Sequence, residues 1–339
     1  MPPAGSATRE RSFDPNLGTI STLPAHSELR DDVLDHPPPA LRRATVSATP
    51  NVYTAPDGSR VRVTVSDLYA PDPAADQELV NFLASLVHGA ELNKLSVFVA
   101  TPGEIPELCG GIAAACYTPN RNLAVIVGQS SFGGLPTSYV LAHEYGHHIQ
   151  NHRRNAPFGG GSLRWGTKRW MTVERICPGV LSGRFSLGFA GNDYFRNPRE
   201  AHAEAYAWLR FPRLIPWEWS ASLRPNQRSY NAISADVRRP WRHNVSVVRR
   251  GAVSRGGDRR DVVRFATPLD GGLSIFLRGP GGANLDLALL KRSGKRLRAS
   301  TRSGSREHIG YTVCGVRKFK ARVEARRGGG RYRLIVKRP

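Results

Sequence analysis

The run SYVLAHEYGHHIQ, residues 138–150, contains the pattern His-Glu-x-x-His and restricts the fold of this chain more than any other segment. On an α-helix, residues four apart lie on one face, so His143 and His147 can present imidazole nitrogens to a single ion. Glu144 can then reach a water held by that ion and act as its general base. We therefore predict a helix over about 136–152 that carries part of a zinc (Zn2+) site. The alternative is an ordinary helix with two surface histidines.

We expect different roles for three further residues of this helix. Gly146 has no side chain and is expected to let another part of the chain pass close to the helix. His148 and His152 are expected to support the site or to face solvent, and not to bind the metal.

A catalytic zinc normally has three protein ligands, so two histidines are not sufficient. No histidine follows His147 in the spacing of a three-histidine site, because the chain continues as HIQNHRRNAPF. Glu200 and Glu204 lie in NPREAHAEAYAWL, residues 197–209, and at four residues apart they share one helix face. We expect Glu200 to bind the metal and Glu204 to accept a hydrogen bond from the far nitrogen of a liganding histidine. The reverse assignment is the alternative.

Two segments, AHEYGHHIQ at 142–150 and NPREAHAEAYA at 197–207, together resemble the gluzincin metallopeptidases. The helix E-x-x-x-E-A-[FY] is similar to that of anthrax lethal factor-like peptidases, and HEYGHHIQ is also similar to bacterial neutral zinc metallopeptidases. The resemblance implies peptide-bond hydrolysis with Zn2+ and with Glu200 as the third ligand. It also implies a tyrosine that stabilises the oxyanion, which with one residue of slippage is Tyr194. Tyr206 is the alternative.

The composition of the chain changes along its length and indicates four regions. Residues 1–48 are rich in Pro, Ala, Ser and charge, and we expect a disordered leader or pro-segment. Residues 49–240 are expected to form an α+β zincin-like catalytic domain, a small mixed sheet with active-site helices. Residues 241–260 are expected to be a linker. Residues 261–339 show alternating strand patterns between Gly turns, which predict an all-β sandwich.

Within the expected catalytic domain, periodicity predicts individual elements. The segment 153–193, rich in Gly and Arg, is expected to be a long and partly ordered connection. The strand at 122–128 would be able to pair with an extended substrate if it lay at the edge of the sheet. The expected elements are a hairpin from Tyr53, helices at 72–88, 197–209 and 225–238, and strands at 95–100 and 122–128.

The C-terminal region resembles the bacterial pre-peptidase C-terminal domain, a small β-sandwich attached to secreted proteases. The resemblance lies in DVVRFATPLDGGLSIFLRGPGGANLDLALLKRSGKRL, with its D-L-x-L pattern at residues 286–290, and in a closing G-x-Y-x-L at Gly330, Tyr332 and Leu334. It implies an exported bacterial peptidase. The start of the chain shows no apolar signal region, which argues against export. We follow the resemblance and expect the protein to be exported.

Four cysteines occur, and no two of them form a C-x-x-C pair. Cys109 and Cys116 flank CGGIAAAC and can close a local disulfide loop. By elimination, Cys177 and Cys314 would then pair across the two domains. If both bridges form, the protein works in an oxidising compartment. The alternative is four free, buried cysteines.

Lys and Arg outnumber Asp and Glu 49 to 27, a formal net charge of +22. Such a charge favours anionic partners, and an anionic cell-surface polymer is the expected one. The alternative is that the arginines only solvate the surface. No nucleic-acid-binding motif accompanies them, so we expect no specific nucleic-acid binding. No run is apolar enough to cross a membrane.

These features together predict a secreted, monomeric zinc metalloendopeptidase that acts on a protein or peptide substrate. A zinc-binding protein without activity is one alternative, although the intact Glu144 speaks against it. A second is a protein that attaches to anionic polymers through its basic β-sandwich. A hydrolase of non-peptide amides would use the same residues and is the third.

Overall fold

The structure is a computed structural model. It describes residues 10–15, 30–47, 49–111, 113–188, 193–315 and 317–339. The chain divides into two compact units, each built from segments that are not contiguous in sequence. The first takes in 1–153, 162–170 and 185–240, and the second takes in 154–161, 171–184 and 241–339. Two short segments that the sequence suggested for the first domain thus group with the C-terminal strands.

Part of the expected leader is ordered, so the prediction of disorder over 1–48 is wrong for residues 30–47. Strand β1 (Arg30–Val33) pairs in parallel with β5 (Ala113–Thr118), and helix α1 (Pro39–Ser47) follows β1 in the chain. The apolar side chain of Leu41 is fully buried, which explains why a Pro-rich and charged segment gains order here. The rest of the leader, except residues 10–15, lies outside the described residues.

A six-stranded mixed sheet forms the centre of the first unit, with strand order β1-β5-β6-β4-β3-β2. Strands β4 and β6 are buried along almost their whole length, as expected for a sheet covered on both faces. Strand β6 lies between β5 and β4, so it is not at a sheet edge and the condition for its pairing with an extended substrate is not met. Besides β1, the strands of this sheet are β2 (Asn51–Thr54), β3 (Arg60–Val65), β4 (Ser96–Ala100), β5 (Ala113–Thr118) and β6 (Leu123–Val127). A separate small hairpin consists of β7 (Ser131–Phe132) and β8 (Leu135–Pro136).

Helices α4 (Thr137–Asn151) and α8 (Pro198–Arg210) are confirmed close to their predicted bounds. Asn197 caps α8 by accepting from Arg199 N, and Pro198 occupies the first helical position, which needs no amide donor. The other helices of this unit are α2 (Pro73–Ser85), α3 (Ile105–Cys109) and α9 (Gln227–Arg238).

The segment expected to be a partly ordered connection, 153–193, contains three short helices. They are α5 (Gly161–Trp165), α6 (Lys168–Val173) and α7 (Ile176–Leu181). Buried Trp170 and Met171 anchor α6, and Cys177 anchors α7 through its disulfide, so the prediction missed helices that depend on tertiary contacts.

The C-terminal part of the second unit, residues 245–338, is an all-β sandwich, as predicted. Its two four-stranded sheets have the orders β10-β15-β12-β13 and β14-β11-β16-β9, and their inward side chains form one core that includes Ile275, Leu287, Phe319 and Leu334. The strands are β9 (Val245–Ser254), β10 (Arg260–Ala266), β11 (Gly271–Arg278), β12 (Asn284–Lys291), β13 (Arg296–Ser300), β14 (Arg306–Val313), β15 (Lys318–Arg327) and β16 (Gly329–Arg338).

The prediction of a linker over 241–260 is wrong for most of that segment. Strand β9 pairs with all ten residues of β16 and is an edge strand of the sandwich. Its arginines obscured the strand pattern, because an edge strand exposes both charged and apolar residues.

Both disulfides form, and no described cysteine is free. Cys109–Cys116 joins the end of α3 to β5. Cys177–Cys314 joins α7 to the turn after β14, and both of its cysteines belong to the second unit. The bridge therefore lies inside one unit, and the prediction that it joins the two domains is wrong.

Candidate metal centre

Helices α4 and α8 bring three potential metal ligands together at the point where they pack. His143 Nε2 lies 3.2 Å from His147 Nε2, because the two residues are one helical turn apart. Glu200 Oε2, on α8, lies 3.0 Å from His147 Nε2 and 3.6 Å from His143 Nε2. This is the one group of three or more such side chains with metal-binding spacing among the described residues.

The spacing of these three atoms fits a tetrahedral zinc site. Two ligand atoms about 2.0–2.1 Å from zinc at tetrahedral angles are about 3.3–3.4 Å apart, and the three observed distances of 3.0, 3.2 and 3.6 Å bracket that value. Two imidazoles and one carboxylate are also a donor set that zinc uses in hydrolytic enzymes.

The proton positions of both histidines suit metal binding. His143 Nδ1 lies 3.2 Å from Glu204 Oε2, and His147 Nδ1 lies 3.0 Å from Gln150 Oε1. Gln150 Nε2 donates to the carbonyl of Arg199, which leaves its Oε1 as an acceptor. Each histidine therefore carries its proton on Nδ1 and directs the lone pair of Nε2 toward Glu200.

The electrostatics of the centre favour a neutral His147 and an ionised Glu200. Burial lowers the pKa of His147, which keeps its imidazole neutral. Burial by itself raises the pKa of Glu200, whereas the positive charge of Arg199 lowers it, and the net pKa lies well below its ordinary range. Arg199 Nε donates to Glu200 Oε1 over 2.8 Å, so the other oxygen, Oε2, faces the histidines.

Glu204 and its neighbours support His143. Its Oε1 accepts a hydrogen bond from the hydroxyl of Tyr139, and its Oε2 faces His143. Tyr139 stands one turn before His143 on α4, so residues from both helices fix the orientation of one imidazole.

Glu144 is fully buried on α4, directly after His143. Both of its carboxylate oxygens are inaccessible to solvent. His143, His147 and Glu200 are each at most 1 % exposed. The whole group is thus shielded from bulk water, which strengthens electrostatic interactions within it.

The two tyrosines considered for the oxyanion have different surroundings. Tyr194 lies in a single 3-10 turn just before α8 and packs against Phe195 and Trp219. The hydroxyl of Tyr206 donates to the carbonyl of Val87 over 2.7 Å, so that donor is already engaged. The structure thus disfavours Tyr206, and the oxyanion role of Tyr194 stays a prediction.

His148 and His152 do not join the metal group. His148 is buried, not solvent-facing, and its two nitrogens contact the carbonyl of Glu91 and the hydroxyl of Tyr117. Burial lowers the pKa of His148 to about 3, so it is a neutral part of the core. His152 contacts Asn122 at the end of α4.

Sequence reasoning missed two residues of the centre, Gln150 and Arg199. Gln150 stands three residues after His147, the spacing at which helical side chains meet, and this signal was available. Arg199 directly precedes Glu200, and only the packing of α8 against α4 shows that its guanidinium binds the carboxylate.

Among the described residues, no helix is both long and apolar enough to span a bilayer. No protein-family model matches the chain, and no curated protein matches it.

Several solved structures are similar to about a quarter of the chain. The pre-peptidase C-terminal domain of Bacillus anthracis collagenase is 21% identical, with 28% of this chain and 90% of that chain covered and a TM-score of 0.24. The Yersinia pseudotuberculosis-derived mitogen is 12% identical, with 28% and 87% covered and a TM-score of 0.23. A periplasmic inhibitor of g-type lysozyme from Aeromonas hydrophila is 13% identical, with 28% and 85% covered and a TM-score of 0.19.

Proposed function

We propose that this protein is a zinc metallopeptidase of the gluzincin type, in which His143, His147 and Glu200 hold Zn2+ and Glu144 is the general base. One observation carries the proposal: two imidazole nitrogens and one carboxylate oxygen converge within 3.6 Å, with their lone pairs turned toward one another. Lone pairs that face one another in a buried site repel, and a bound cation removes this cost.

The residues of the chain have distinct tasks in peptide hydrolysis. Zinc, when bound, supplies an acidified water and polarises the scissile carbonyl. Glu144 accepts the proton of the attacking water and passes it to the leaving amine. Glu204 and Gln150 hold the two imidazoles in the orientation that binds the metal. The hydroxyl of Tyr194 is proposed to donate to the oxyanion.

The burial of the centre adds a requirement to this proposal. Because the ligands and Glu144 are at most 1 % exposed, a peptide reaches them only after the site opens. The same observation favours the second candidate function, a zinc-binding protein without peptidase activity. The two candidates agree on the metal and differ only in turnover.

We also propose that the protein is exported and that its sandwich is a pre-peptidase C-terminal-like domain. The two disulfides support export, since such bridges persist in oxidising compartments. The substrate class under this proposal is protein or peptide.

The proposal is tested by metal analysis and by a casein or peptide-library assay of the wild type, Glu144→Gln and Glu200→Gln. Glu144→Gln should keep one zinc per chain and lose activity by about 10²–10⁴-fold, the usual contribution of a general base. Glu200→Gln should lose zinc as well. Glu107→Gln, on an exposed face of α3, is the matched control and should resemble the wild type.

The outcomes separate the candidate functions. A wild type without zinc contradicts both of them. A wild type that binds zinc and shows no turnover, even on unfolded substrates, supports the zinc-binding protein without activity. Cleavage by Glu144→Gln at the wild-type rate removes Glu144 from the mechanism.

A further inference from the structure

Four arginines lie side by side on the outer face of the sheet β14-β11-β16-β9. In the strand register, Arg278 is opposite Arg306 on one side and Arg333 on the other, and Arg333 is opposite Arg250. Directly opposed residues of antiparallel strands point to the same face, so the four side chains form one row about 14 Å long. All four residues are exposed. We call this set the arginine row.

The arginine row is electrostatically uncompensated. Like charges directly opposite one another on neighbouring strands destabilise a sheet. Within the part of the chain that the structure describes, none of the four arginines takes part in an ion pair with a carboxylate. The aligned positive charges of the row are therefore not offset by ion pairs within the described residues.

The opposite sheet of the same sandwich shows how this chain neutralises arginines elsewhere. Glu324 lies within 4.0 Å of arginines from two strands and a turn, and Asp286 lies 2.5 Å from Arg326. The arginines near Glu324 are Arg259, Arg260, Arg322 and Arg326. Carboxylates therefore stand among the arginines on one sheet and not along the arginine row of the other.

A second row runs beside the arginine row and contains His308, Phe276, Ile335 and Val248 in register. The ring of Phe276 stacks on His308 with centroids 4.4 Å apart, and Lys337 Nζ lies 5.4 Å from the same centroid. His308 and Lys337 come from strands on opposite sides of β11, so the faces of Phe276 are already engaged. This disfavours base stacking, which single-stranded nucleic-acid sites use.

We propose that the arginine row binds a linear anionic polymer of sugar or polyol units, with phosphate, sulfate or carboxylate groups along its length. A guanidinium binds such groups in a bidentate manner. A single exposed ion pair contributes little, whereas a polymer engages four aligned arginines at once and gains from their effective concentration. The row would attach the protein to an anionic surface. This binding does not depend on the metal centre or on peptidase activity.

The test uses the full chain and a matched pair of fourfold variants. The row variant is R250S/R278S/R306S/R333S, and the control is R292S/R296S/R298S/R302S, which removes the same charge from exposed arginines elsewhere on the sandwich. Calorimetry measures binding to a heparin dodecasaccharide, to poly(glycerol phosphate) and to the oligonucleotide dT20. The first two probes distinguish sulfate from phosphate as the preferred group.

We expect the row variant to bind the preferred polymer about 30-fold more weakly, with a flatter dependence of affinity on salt, because fewer charges are neutralised on binding. The control should stay within about threefold of the wild type. An equal loss in both variants would show a general charge effect and overturn the proposal. Tighter binding of dT20 than of both polymers would assign the row to nucleic acid instead.

Thermal unfolding distinguishes a binding role of the arginine row from a structural role in the sandwich. Removal of opposed like charges should leave the Tm of the row variant equal to or above that of the wild type. A lower Tm would mean that the arginines stabilise the sandwich, and it would contradict the proposal.

Discussion

Gly146 on α4 and Ala203 on α8 approach so closely that a β-carbon built on Gly146 would lie 2.8 Å from Ala203 Cα. Real side chains do not tolerate this distance to a backbone atom. Gly146 directly precedes His147, and Ala203 lies on the same helix as Glu200, so the contact limits the separation of the two helices that provide the candidate metal ligands. Close helix packing at a glycine is thus the structural basis of the centre.

Gly146→Ala should therefore destabilise the protein by about 1–3 kcal/mol, the usual cost of overpacking, although Ala is the better helix former. It should also weaken zinc binding, because α8 must shift away from α4. Thermal unfolding and metal titration check both effects. Gly256→Ala, at a glycine with open space around it, is the control. A Gly146→Ala protein as stable as the wild type would show that the helices adjust freely.

Glu204→Gln should weaken zinc binding by about 10–100-fold, because Glu204 orients His143 and does not bind the metal itself. Glu200→Gln should cause a larger loss, since it removes a ligand. Competition titration with a chelator measures both. A larger loss for Glu204→Gln than for Glu200→Gln would reverse the assignment of ligand and orienting residue.

Glu91 and Arg153 form a buried ion pair beside α4, with Arg153 Nη2 2.8 Å from Glu91 Oε2. Glu91→Gln leaves the guanidinium without its carboxylate, and it should cost about 3–5 kcal/mol of the free energy of unfolding at pH 7. Denaturant unfolding of the wild type and the variant measures this difference.

The difference in the free energy of unfolding between the wild type and Glu91→Gln should depend on pH. Burial raises the pKa of Glu91, but the charge and hydrogen bond of Arg153 together with backbone hydrogen bonds outweigh burial, and the net pKa lies below its ordinary value. The folded state therefore favours the ionised form, and its stabilisation is complete above about pH 4.3, the ordinary pKa of glutamate in an unfolded chain. It is lost as pH falls through the lower, folded-state pKa. A difference that stays constant down to pH 2 would contradict this account.

The disulfide Cys177–Cys314 spans 137 residues of sequence, whereas Cys109–Cys116 spans seven. Since a longer closed loop restricts the unfolded chain more, Cys177→Ser/Cys314→Ser should lower the free energy of unfolding by about 2–5 kcal/mol. Cys109→Ser/Cys116→Ser should cost less. Denaturant unfolding of both double variants compares them, and the opposite order would show that local packing outweighs loop entropy.

Much of the metal centre was predictable from sequence because its parts are local. The spacing of His143 and His147 and that of Glu200 and Glu204 follow from helical periodicity alone. Helix α8 has its own start signal in Asn197 and Pro198, and the bounds of both helices were predicted closely. The disulfide pairs followed from the short Cys109–Cys116 loop and from elimination.

Other features depend on contacts between residues distant in sequence, and the sequence predicted them wrongly or not at all. Strand β1 and helix α1 gain order by packing on the central sheet, and strand β9 gains it by pairing with β16. The interior position of β6 is a property of the whole sheet order. Local patterns carry no record of such pairings.

The sequence by itself determined which side chains are candidate metal ligands, because helix geometry sets what neighbours on one helix can reach. Only the tertiary structure decided that Glu200 Oε2 meets both histidines while Glu204 faces His143 Nδ1, since this depends on how α8 crosses α4 at Gly146. In the same way, arginine content was visible in the sequence. The arginine row exists only through strand register, which aligns residues up to 83 positions apart.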